Sequence, residues 1–317
     1  MRSRYFKSDF FCLLTAFIWG FAFVAQRMGM DHVGPFTFNG IRFFLGAMVL
    51  VPFIAAGRRS TSAGPADGRN EGWRLVKYGS LAGLAIFGGA SLQQVGLVYT
   101  TAGNAGFITG LYVVIVPIMG LLWRQRTNAG TWAGALMAAA GLYLLSVSAT
   151  FRIAFGDLLE LIGALLWAVH IHLIGWLSPR TDALKLAFVQ FMVCALASLA
   201  TALVVETFSL AGIIAAALPI LYGGVLSVGV AYTLQVVAQR NAHPAHAAIL
   251  LSLESVFAAI GGWLILDETM SGRGMTGCVL MFSGMLLSQL YGLVAVPRQV
   301  ARPTGSREAR APSEINP

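Results

Sequence analysis

The chain has 317 residues, of which 57% are hydrophobic and only 11% charged, and it carries a net charge of +8. Soluble domains contain about 25% charged residues, so this composition excludes a water-soluble fold and predicts a polytopic membrane protein. The positive charge does not indicate a nucleic-acid interface, because the Lys and Arg residues are spread over connectors beside apolar segments. Membrane topology and contact with anionic lipid explain these residues better.

Ten apolar segments follow one another along the chain, each close to the ~20 residues that an α-helix needs to cross a bilayer. An all-α integral membrane fold with ten transmembrane helices is therefore predicted. The spans lie at about 10–26, 33–56, 78–98, 102–123, 129–149, 157–177, 186–205, 216–239, 244–266 and 274–296. The longest connector, near 57–77, leaves no room for a separate soluble domain, and residues 297–317 are predicted to form a disordered tail.

The basic residues divide unevenly between the two sides of the predicted bundle. Seventeen of the 21 Lys and Arg residues precede the first span, follow the last one or lie on every second connector, and all three Lys are among them. Only Arg27, Arg42, Arg152 and Arg273 lie toward the opposite side. Basic residues near span ends stay on the cytoplasmic side, so both termini and the tail are predicted to be cytoplasmic in a multi-pass protein of the inner (cytoplasmic) membrane.

Matching residues recur in the two halves of the chain in the same order. Asp9 and Trp19 are ten residues apart in the first span, and Asp157 and Trp167 are ten apart in the sixth. Further matches are Gln94 with Gln235, and Gly134 and Gly141 with Gly277 and Gly284. These anchors predict two five-helix repeats, 8–149 and 156–296. Because five is an odd number, the second repeat enters the membrane in the opposite direction, which makes the pair an inverted repeat.

Inverted repeats place a substrate site near the middle of the bilayer, where the two halves meet. Polar side chains inside hydrocarbon are expected to face this cavity or to bond a partner. Glu254 is the only acidic residue deep in any predicted span. It is either a functional group of the cavity or a protonated carboxyl bonded to a neighbouring helix. Glu160, near a span entrance, is expected to reach interfacial water, and a duplication that only enlarges the bundle is the structural alternative.

Arg42 lies about nine residues into the second span, and Asn39 shares its helical face. The pair is predicted to form a small polar notch in the outward third of the membrane. Three accounts of the guanidinium stay open at this point. It binds an anionic group of a ligand, it snorkels to the outer interface, or it pairs with Glu254 of the other repeat.

Two helical faces combine aromatic and amide side chains. Trp19, Phe23 and Gln26 share a face of the first span, and Tyr232, Gln235 and Gln239 share a face of the eighth. Faces of this kind either pack in the core or line a cavity. The aromatic side chains favour packing, the glutamines favour a cavity, and both interpretations stay open.

A histidine pair lies near the middle of the sixth span. His170 and His172 are two residues apart on a helix, so at most one of them can face a cavity. The weaker polar candidates, in the third and fourth spans, are Gln93, Gln94, Asn104, Thr109 and Tyr112.

Several short motifs keep a fixed order along the chain. They are Trp19-Gly20 in the first span, Pro35 followed by Arg42 in the second, Leu253-Glu254-Ser255-Val256-Phe257 in the ninth, and Asp267-Glu268 before the tenth. Together with the five-span repeats, this order resembles the EamA-type branch of the drug/metabolite transporter (DMT) superfamily over about residues 8–296. The chain departs from the family pattern where Ser255 replaces Pro, and where Arg124-Gln125-Arg126 replaces the acidic residue before the fifth span.

The resemblance implies a secondary transporter of small metabolites, commonly an exporter of amino acids or related compounds, with a central cavity and alternating access. The partners would be a small-molecule substrate and the lipid bilayer, and the route would be proton-coupled or facilitated. A channel-like facilitator, a proton-coupled multidrug carrier and an integral-membrane enzyme are the alternatives. The substrate-binding residues that it implies are Trp19, Phe23, Gln26, Asn39, Arg42, Gln94, Trp167, His170, Tyr232, Gln235 and Glu254.

No sequence feature indicates a cofactor, a metal or an oligomeric state. The chain has no Gly-Lys dipeptide, which excludes a Walker A loop and with it ATP use. Cys12, Cys194 and Cys278 fall in three different spans without zinc spacing and are predicted to be small buried side chains. A membrane enzyme would need a convergent nucleophile, metal cluster or carboxylate pair, and a channel would show rings of like polar residues. The sequence shows neither pattern.

Overall fold

The computed structural model describes residues 2–58, 68–125, 127–146, 155–269 and 272–294. The predicted tail at 297–317 lies outside the described residues, as do parts of the connectors near 57–77 and 149–156. Within the described ranges every regular element is helical and no strand occurs. The all-α prediction is confirmed.

The helices follow the apolar segments of the sequence. In the first half they are α1 (Arg2–Gly29), α2 (Pro35–Arg58), α3 (Gly68–Gly96), α4 (Ala102–Gly110), α5 (Tyr112–Leu122) and α6 (Ala129–Ser146). In the second half they are α7 (Phe155–Leu177), α8 (Ala183–Val205), α9 (Leu210–Ala215), α10 (Ala217–Leu221), α11 (Thr233–Ala238), α12 (Pro244–Leu251), α13 (Glu254–Ile265) and α14 (Gly272–Val294). A 3₁₀ turn at Ser178–Arg180 follows α7, and a π-helix at Tyr222–Tyr232 joins α10 to α11.

Eight helical stretches within the described residues are long and apolar enough to cross a bilayer. They are Phe6–Gly29, Pro35–Ala56, Gly72–Gly96, Ala102–Leu122, Phe155–Arg180, Ala183–Val205, Ala217–Ala238 and Pro244–Ile265. The multi-pass prediction is confirmed for these eight. Helices α6 and α14 occupy the positions of the predicted fifth and tenth spans, while the count of ten spans stays a prediction.

Local sequence signals explain where several helices begin. Proline is the first residue of α2 (Pro35) and of α12 (Pro244), where its missing N–H costs no intrahelical hydrogen bond. Thr101 caps α4 by accepting a hydrogen bond from the backbone N–H of Asn104. Asp182 caps α8 in the same way, through the first N–H groups of that helix.

Two of the predicted spans are broken in the middle, which the hydropathy pattern did not indicate. The fourth span is interrupted at Leu111, and the ninth at Ser252 and Leu253. At the second break the Ser252 hydroxyl donates to the Ile249 carbonyl at 2.9 Å, a local bond that competes with the helical ladder. Irregular backbone at membrane depth occurs where it is buried in protein or lines a cavity, and both breaks lie against the cavity described below.

Small residues bring α6 and α14 into close contact. A Cβ atom on Gly134 would lie 2.6 Å from the Gly284 carbonyl oxygen, and one on Gly141 would lie 2.5 Å from that of Gly277. The two helices therefore approach at distances that only glycine permits. These four glycines are the ones that match between the two repeats in the sequence. Each glycine of the first repeat contacts a glycine of the second.

Large apolar side chains cover the outside of the bundle. Phe53, Leu203 and Val204 are 60%, 73% and 83% exposed, as expected of surfaces that face lipid tails. Inside, α1 packs against α13 and the π-helix, α2 against α8, and α3 against α7 and α8. Helices of the two halves therefore alternate around the centre, and the polar residues predicted from sequence converge there.

Candidate functional site

A cavity of about 30 Å³ lies at the centre of the bundle. It has room for about two water molecules and is smaller than the roughly 300–1,000 Å³ of small-molecule pockets, so the bundle must open to admit a metabolite. Both halves of the chain contribute to its walls. The lining residues are Trp19, Ala22, Phe23, Gln26, Arg42, Gln93, Thr109, Tyr112, Trp167, His170, Ile171, Ser227, Tyr232, Gln235 and Glu254.

Aromatic rings form one wall of the cavity around Tyr232. The Trp19 ring lies 4.5 Å from the Tyr232 ring, and the Trp167 ring lies 6.1 Å from it, measured between centroids. Phe43 and Phe191 pack behind Tyr232 at 5.8 and 5.9 Å. The two tryptophans that the repeat comparison matched thus meet at one tyrosine. Every lining residue except the half-buried Trp19 is buried, so the cavity is enclosed.

Arg42 is 2% exposed and does not snorkel to an interface, so that account is wrong. Its Nε donates to the Asn39 side-chain oxygen at 2.9 Å, and its guanidinium carbon lies 5.0 Å from the Phe43 ring and 5.6 Å from the Phe38 ring. Cation–π contact with two rings offsets part of the cost of burying the charge. Among the described residues no carboxylate lies within ion-pair distance of Arg42, so the proposed pair with Glu254 is also absent.

Glu254 is the first residue of α13 and is 4% exposed. The Tyr112 hydroxyl, on the first residue of α5, donates to its Oε1 at 2.8 Å. The neighbouring Ser255 hydroxyl donates to the Gly106 carbonyl, which ties the break in the ninth span to α4. Both broken spans therefore resume at the cavity, and the first residues after the breaks bond to each other there.

Glu160 is fully buried, and the prediction that it reaches interfacial water is wrong. The Thr109 hydroxyl donates to Glu160 Oε2 at 3.1 Å, and the Gln93 amide donates to the Thr109 oxygen at 3.2 Å. The close packing of α7 against α3 and α4 covers the carboxyl: a Cβ on Gly96 would lie 2.8 Å from Glu160 Oε1. The distance of Glu160 from the start of its span does not indicate that neighbouring helices cover it.

The two histidines of α7 face in different directions, as their spacing predicts. His170 lines the cavity, and its Nε2 lies 3.1 Å from the Gln190 side-chain oxygen. His172 Nε2 lies 2.9 Å from the Val116 carbonyl oxygen, and its ring packs against Trp123 at 4.7 Å. His172 thus connects α7 to α5 away from the cavity.

Two carboxylates join the halves at one side of the bundle, which we call the Glu268 face. Glu206, at the end of α8, accepts hydrogen bonds from two backbone N–H groups at the start of α2, both at 2.8 Å. Glu268, after α13, accepts hydrogen bonds from two backbone N–H groups at the start of α4, at 3.0 and 3.1 Å. Each carboxylate therefore caps a helix of the other half, where the helix dipole favours negative charge.

The opposite side, which we call the Arg240 face, lies at the other end of α8. Arg240 donates to the backbone carbonyls of Ser178 and Thr181 at 2.9 and 2.8 Å, within the second half. The two halves meet there through His246 Nε2 and Asp9 Oδ1, which are 3.0 Å apart. Both of these side chains are about a quarter exposed.

Gln125 occupies the position on the Arg240 face that corresponds to Glu268. Each follows a non-glycine residue with positive φ, Arg124 at 55° and Asp267 at 54°, just after the end of a broken span. The Gln125 side-chain oxygen is buried and has no hydrogen-bond partner in the described part of the chain. The departure from the acidic pattern noted in the sequence thus leaves an unpaired amide oxygen on this face, where Glu268 caps a helix on the other.

Comparison with known proteins assigns the chain to a family. The model of the EamA-like transporter family matches residues 6–147 and again residues 154–290. The chain belongs to the EamA-like transporter family. It is 32% identical over 285 residues to an uncharacterized transporter of Archaeoglobus fulgidus, covering 89% of this chain and 86% of that protein.

Two other relatives of this EamA-like transporter are informative. It is 24% identical over 312 residues to a probable amino-acid metabolite efflux pump of Salmonella typhimurium, covering 94% of this chain and 99% of that protein. A solved crystal structure superposes on it with a TM-score of 0.72 at 20% identity, covering 92% of this chain and 99% of the other. The structural match shows a shared fold.

The cavity of this EamA-like transporter brings together most of the site residues predicted from sequence. Those that line it are Trp19, Phe23, Gln26, Arg42, Trp167, His170, Tyr232, Gln235 and Glu254. Asn39 and Gln94 lie behind the wall, where Asn39 bonds Arg42 and the Ala90 carbonyl while Gln94 donates to the Gln26 carbonyl. Of the weaker candidates, Gln93, Thr109 and Tyr112 also line the cavity.

Sequence reasoning missed Ala22, Ile171 and Ser227 as lining residues. Ala22 and Ile171 have no polar atom in their side chains and so gave no signal. Ser227 lies in the π-helix, whose wider turn changes which residues share a face. A π-helix of eleven residues is unusual, and segments of this kind are frequent at functional sites.

Several polar atoms at the cavity have no protein partner. Among the described residues, Gln26 Oε1, Gln235 Oε1 and Trp167 Nε1 are buried and form no hydrogen bond. Unpaired buried polar atoms are uncommon in native proteins, and each one lowers stability unless a ligand or ordered water bonds it. Two acceptors and one donor are thus available at the walls.

Proposed function

We propose that this EamA-like transporter is a secondary transporter that exports small zwitterionic metabolites, amino acids or related compounds, by alternating access. The observation that carries the proposal is the enclosed cavity, in which Arg42 and Glu254 line one space without forming an ion pair in the described structure. A guanidinium and an acidic side chain held apart in a site shielded from water match a ligand with a carboxylate and an ammonium group, because the ammonium group stabilises the ionised form of Glu254.

The walls offer a place for each part of such a ligand. The planar guanidinium of Arg42 suits a carboxylate, which it can bind through two parallel hydrogen bonds. Glu254 suits an ammonium group, and the unpaired oxygens of Gln26 and Gln235 add neutral acceptors for its remaining protons. The aromatic wall around Tyr232 suits an apolar or aromatic substituent.

Alternating access follows from an inverted repeat, which we propose comprises residues 8–149 and 156–296 within ten spans. The double match of the family model, the paired breaks at Leu111 and Leu253, and the reciprocal glycine contacts of α6 and α14 support this duplication. Rocking of one half against the other would open the enclosed cavity to each side in turn.

Export is supported by a difference between the two faces. The distribution of Lys and Arg predicts that the Arg240 face is cytoplasmic and that the Glu268 face lies outside the inner membrane. The outer face is closed by two carboxylates that each cap a helix of the other half, whereas the corresponding Gln125 on the inner face caps none. The resting protein therefore opens more readily to the cytoplasm and takes up its substrate there.

The name of the Salmonella typhimurium relative, a probable amino-acid metabolite efflux pump, agrees with this substrate class and direction. Relatedness at 24% identity does not transfer a substrate by itself. The proposal for this chain therefore rests on Arg42 and Glu254 in the cavity wall. The relative indicates which compounds to test first.

Transport into inside-out membrane vesicles tests the proposal. Vesicles from cells that produce the protein are compared with matched vesicles that lack it, using a mixture of radiolabelled amino acids. We expect uptake that saturates with concentration and is accelerated by unlabelled amino acid inside the vesicles, because a carrier returns faster when loaded. Flux that neither saturates nor shows this acceleration would instead indicate the channel-like facilitator, which the enclosed cavity disfavours.

The two charges are tested separately with analogues of a transported amino acid. We expect the decarboxylated amine and the deaminated acid to compete poorly against the wild-type protein. Arg42→Gln should lose the preference for the amino acid over the amine, and Glu254→Gln should lose the preference over the acid. Tyr112→Phe serves as the matched control, because it removes the hydrogen bond to Glu254 and keeps the Glu254 carboxyl group. Equal competition by both analogues in the wild type would exclude a zwitterion site.

A further inference from the structure

The Glu160 carboxyl is buried without a compensating positive charge. It is 0% exposed, Thr109 is its described hydrogen-bond donor, and its Oε1 has no partner. The titratable groups that interact with it electrostatically are Asp157 on its own helix and Glu254 on α13, and both are acidic. Burial without a positive charge therefore favours the neutral acid over the carboxylate at this site.

Thr109 connects Glu160 to the cavity. Its hydroxyl bonds Glu160 Oε2 at 3.1 Å, and the same residue lines the cavity wall. A hydroxyl can accept one proton while it donates another, so it can pass a proton between the carboxyl and a ligand or water in the cavity. The Gln93 amide, which donates to the Thr109 oxygen at 3.2 Å, holds the hydroxyl in position.

Asp157 connects Glu160 to the Glu268 face. It lies three residues earlier on α7, on the same side of the helix, and it is half-buried. The Thr100 hydroxyl donates to its Oδ1 at 2.9 Å. Thr100 in turn lines an open surface hollow of about 430 Å³, which Glu268 also lines. The hydrogen bond from Thr100 to Asp157 and the hydrogen bond from Thr109 to Glu160 therefore lie one helical turn apart, between this hollow and the cavity.

The first half of the chain lacks the corresponding carboxyl. The match of Asp9 to Asp157 and of Trp19 to Trp167 is an offset of 148 residues (157 − 9), which pairs Cys12 with Glu160 (12 + 148). Cys12 is buried at the equivalent depth of α1. The chain of acidic and hydroxyl groups thus exists in one half only, and it leads to one face only.

We propose that Glu160 carries the proton that drives transport, between the Glu268 face and the cavity. A proton from water at that face reaches Asp157 and then Glu160. The Thr109 hydroxyl first rotates from Glu160 toward the cavity. The O–H bond at Glu160 then breaks as the Thr109 oxygen takes the proton, the original Thr109 hydroxyl proton passes to water or a ligand in the cavity, and Glu160 is left as a carboxylate. One proton moves inward for each step and no other bond changes. The proposal rests on the transporter function above and names the coupling residue of that function.

Infrared spectroscopy of the purified protein tests protonation without any substrate. The wild-type protein should show the C=O stretching band of a protonated carboxylic acid. This band should be absent from the Glu160→Gln variant and present in the Asp157→Asn variant. Thr109→Val should shift this band, because it removes the hydroxyl that bonds the carboxyl. A wild-type spectrum in which Glu160→Gln removes no such band would overturn the proposal, whether or not any amino acid is transported.

Proteoliposomes test coupling, with a mixture of radiolabelled amino acids as the probe. We expect Glu160→Gln to lose accumulation driven by a pH gradient while counterflow exchange at equal pH continues. Thr109→Val, which keeps Glu160 in place, should slow gradient-driven accumulation if Glu160→Gln fails to insert. Cys12→Ala is the matched control in the other half and should keep the coupling. Gradient-driven accumulation by Glu160→Gln at the wild-type level would reduce Glu160 to a structural contact between α4 and α7.

The two experiments separate the proposals. If the wild-type protein transports no amino acid but the Glu160 infrared band is present, the substrate class is wrong and the assignment of Glu160 as a protonated group stands. Proton flux in potassium-clamped liposomes then tests the path directly, and equal flux in the wild type and Glu160→Gln would overturn it.

Discussion

The guanidinium of Arg42 lies against two aromatic rings, and its one described hydrogen bond is made by Nε to Asn39. That bond leaves the two terminal nitrogens for a partner in the cavity that Arg42 lines. Because a guanidinium stays charged in any protein environment, it has to be compensated by hydrogen bonds rather than by losing its proton. A carboxylate ligand provides that compensation only while it is bound.

Substitution of Arg42 should therefore weaken binding of the carboxylate ligand more than it weakens folding. Loss of a hydrogen bond to a charged group costs roughly 1.5–3 kcal/mol, which corresponds to about a ten- to 150-fold increase in Kd. We expect Arg42→Gln to fall in this range and Arg42→Lys to lie between it and the wild type, since Lys keeps the charge and loses the planar fork. Binding of a transported amino acid by isothermal calorimetry measures the effect.

The thermal stability of the same variants distinguishes ligand binding from an internal ion pair. An ion pair with Glu254 predicts that either single neutralisation destabilises the protein and that the double variant Arg42→Gln, Glu254→Gln recovers much of the loss. The absence of that pair from the structure predicts no such recovery. Unchanged affinity in a well-folded Arg42→Gln protein would remove Arg42 from the binding site.

At the level of single residues, the sequence predicted which side chains line the cavity better than it predicted which helices surround them. Hydrocarbon penalises polar groups strongly, so the polar residues inside spans were found by their position alone, and Trp19, Arg42 and Glu254 line the cavity as predicted. The surroundings of Glu160 and Arg42 depend on which helices pack over them, and this is not encoded in the hydropathy of one span. For that reason Glu160 was predicted to reach interfacial water and snorkelling stayed open for Arg42, whereas both side chains are buried.

Among the helices, the contact between α6 and α14 depends most directly on glycine. A Cβ on Gly134 would lie 2.6 Å from the Gly284 carbonyl oxygen, so the helices must separate to admit one. We expect Gly134→Ala to destabilise the protein by about 1–3 kcal/mol, the usual cost of overpacking. Thermal unfolding in detergent, followed by circular dichroism, measures this change.

Gly272 provides the matched control for Gly134. It begins α14, and a Cβ placed on it has no atom within 4 Å. Gly272→Ala should therefore leave the unfolding temperature nearly unchanged. Equal destabilisation by the two substitutions would show that the loss of Gly134 acts through something other than helix contact.

The carboxylates of the Glu268 face should control access to the cavity. Glu268→Gln and Glu206→Gln keep the side-chain shape but remove the charge that favours a helix N-terminus. We expect both to increase the reaction of a cysteine at Ser227, a cavity residue, with an impermeant maleimide added to intact cells. The background for this measurement replaces Cys12, Cys194 and Cys278.

Asp182 is the control for these helix caps. It accepts hydrogen bonds from the backbone N–H groups of Leu184 and Lys185, so it caps its own helix and joins no element of the other half. Asp182→Asn should not change the labelling at Ser227. If Glu268→Gln also leaves the labelling unchanged, closure of the Glu268 face does not depend on these helix caps. The caps would then no longer support export.

The order of the helices could be predicted from the sequence, but not their interruptions. Apolar length identifies a span because the bilayer requires it, and the helical segments begin and end within a few residues of the predicted limits apart from the extended starts of α1 and α3. The breaks at Leu111 and Leu253 and the π-helix have the same apolar composition as a continuous helix. They are stabilised by contacts across the cavity, such as that between Tyr112 and Glu254, which join residues distant in the sequence.

For the whole molecule, the charge distribution predicts that the Arg240 face is cytoplasmic, and the export proposal depends on this orientation. Thr207 lies just after Glu206, and Asn241 lies just after Arg240, and both are exposed. They therefore mark opposite ends of the bundle. Neither lines the cavity, so their labelling reports membrane side without dependence on the transport state.

Single cysteines at these two positions determine the orientation in a variant without Cys12, Cys194 and Cys278. We expect Thr207→Cys to react with an impermeant maleimide in intact cells whose inner membrane is accessible to it, and Asn241→Cys to react only after the membrane is opened. Full labelling of both after opening is the control for their exposure. The reverse pattern would show that the protein has the opposite orientation in the membrane. The face that carries Glu206 and Glu268 would then be cytoplasmic, and the proton path to Glu160 would begin inside the cell. Uptake would replace export as the favoured direction.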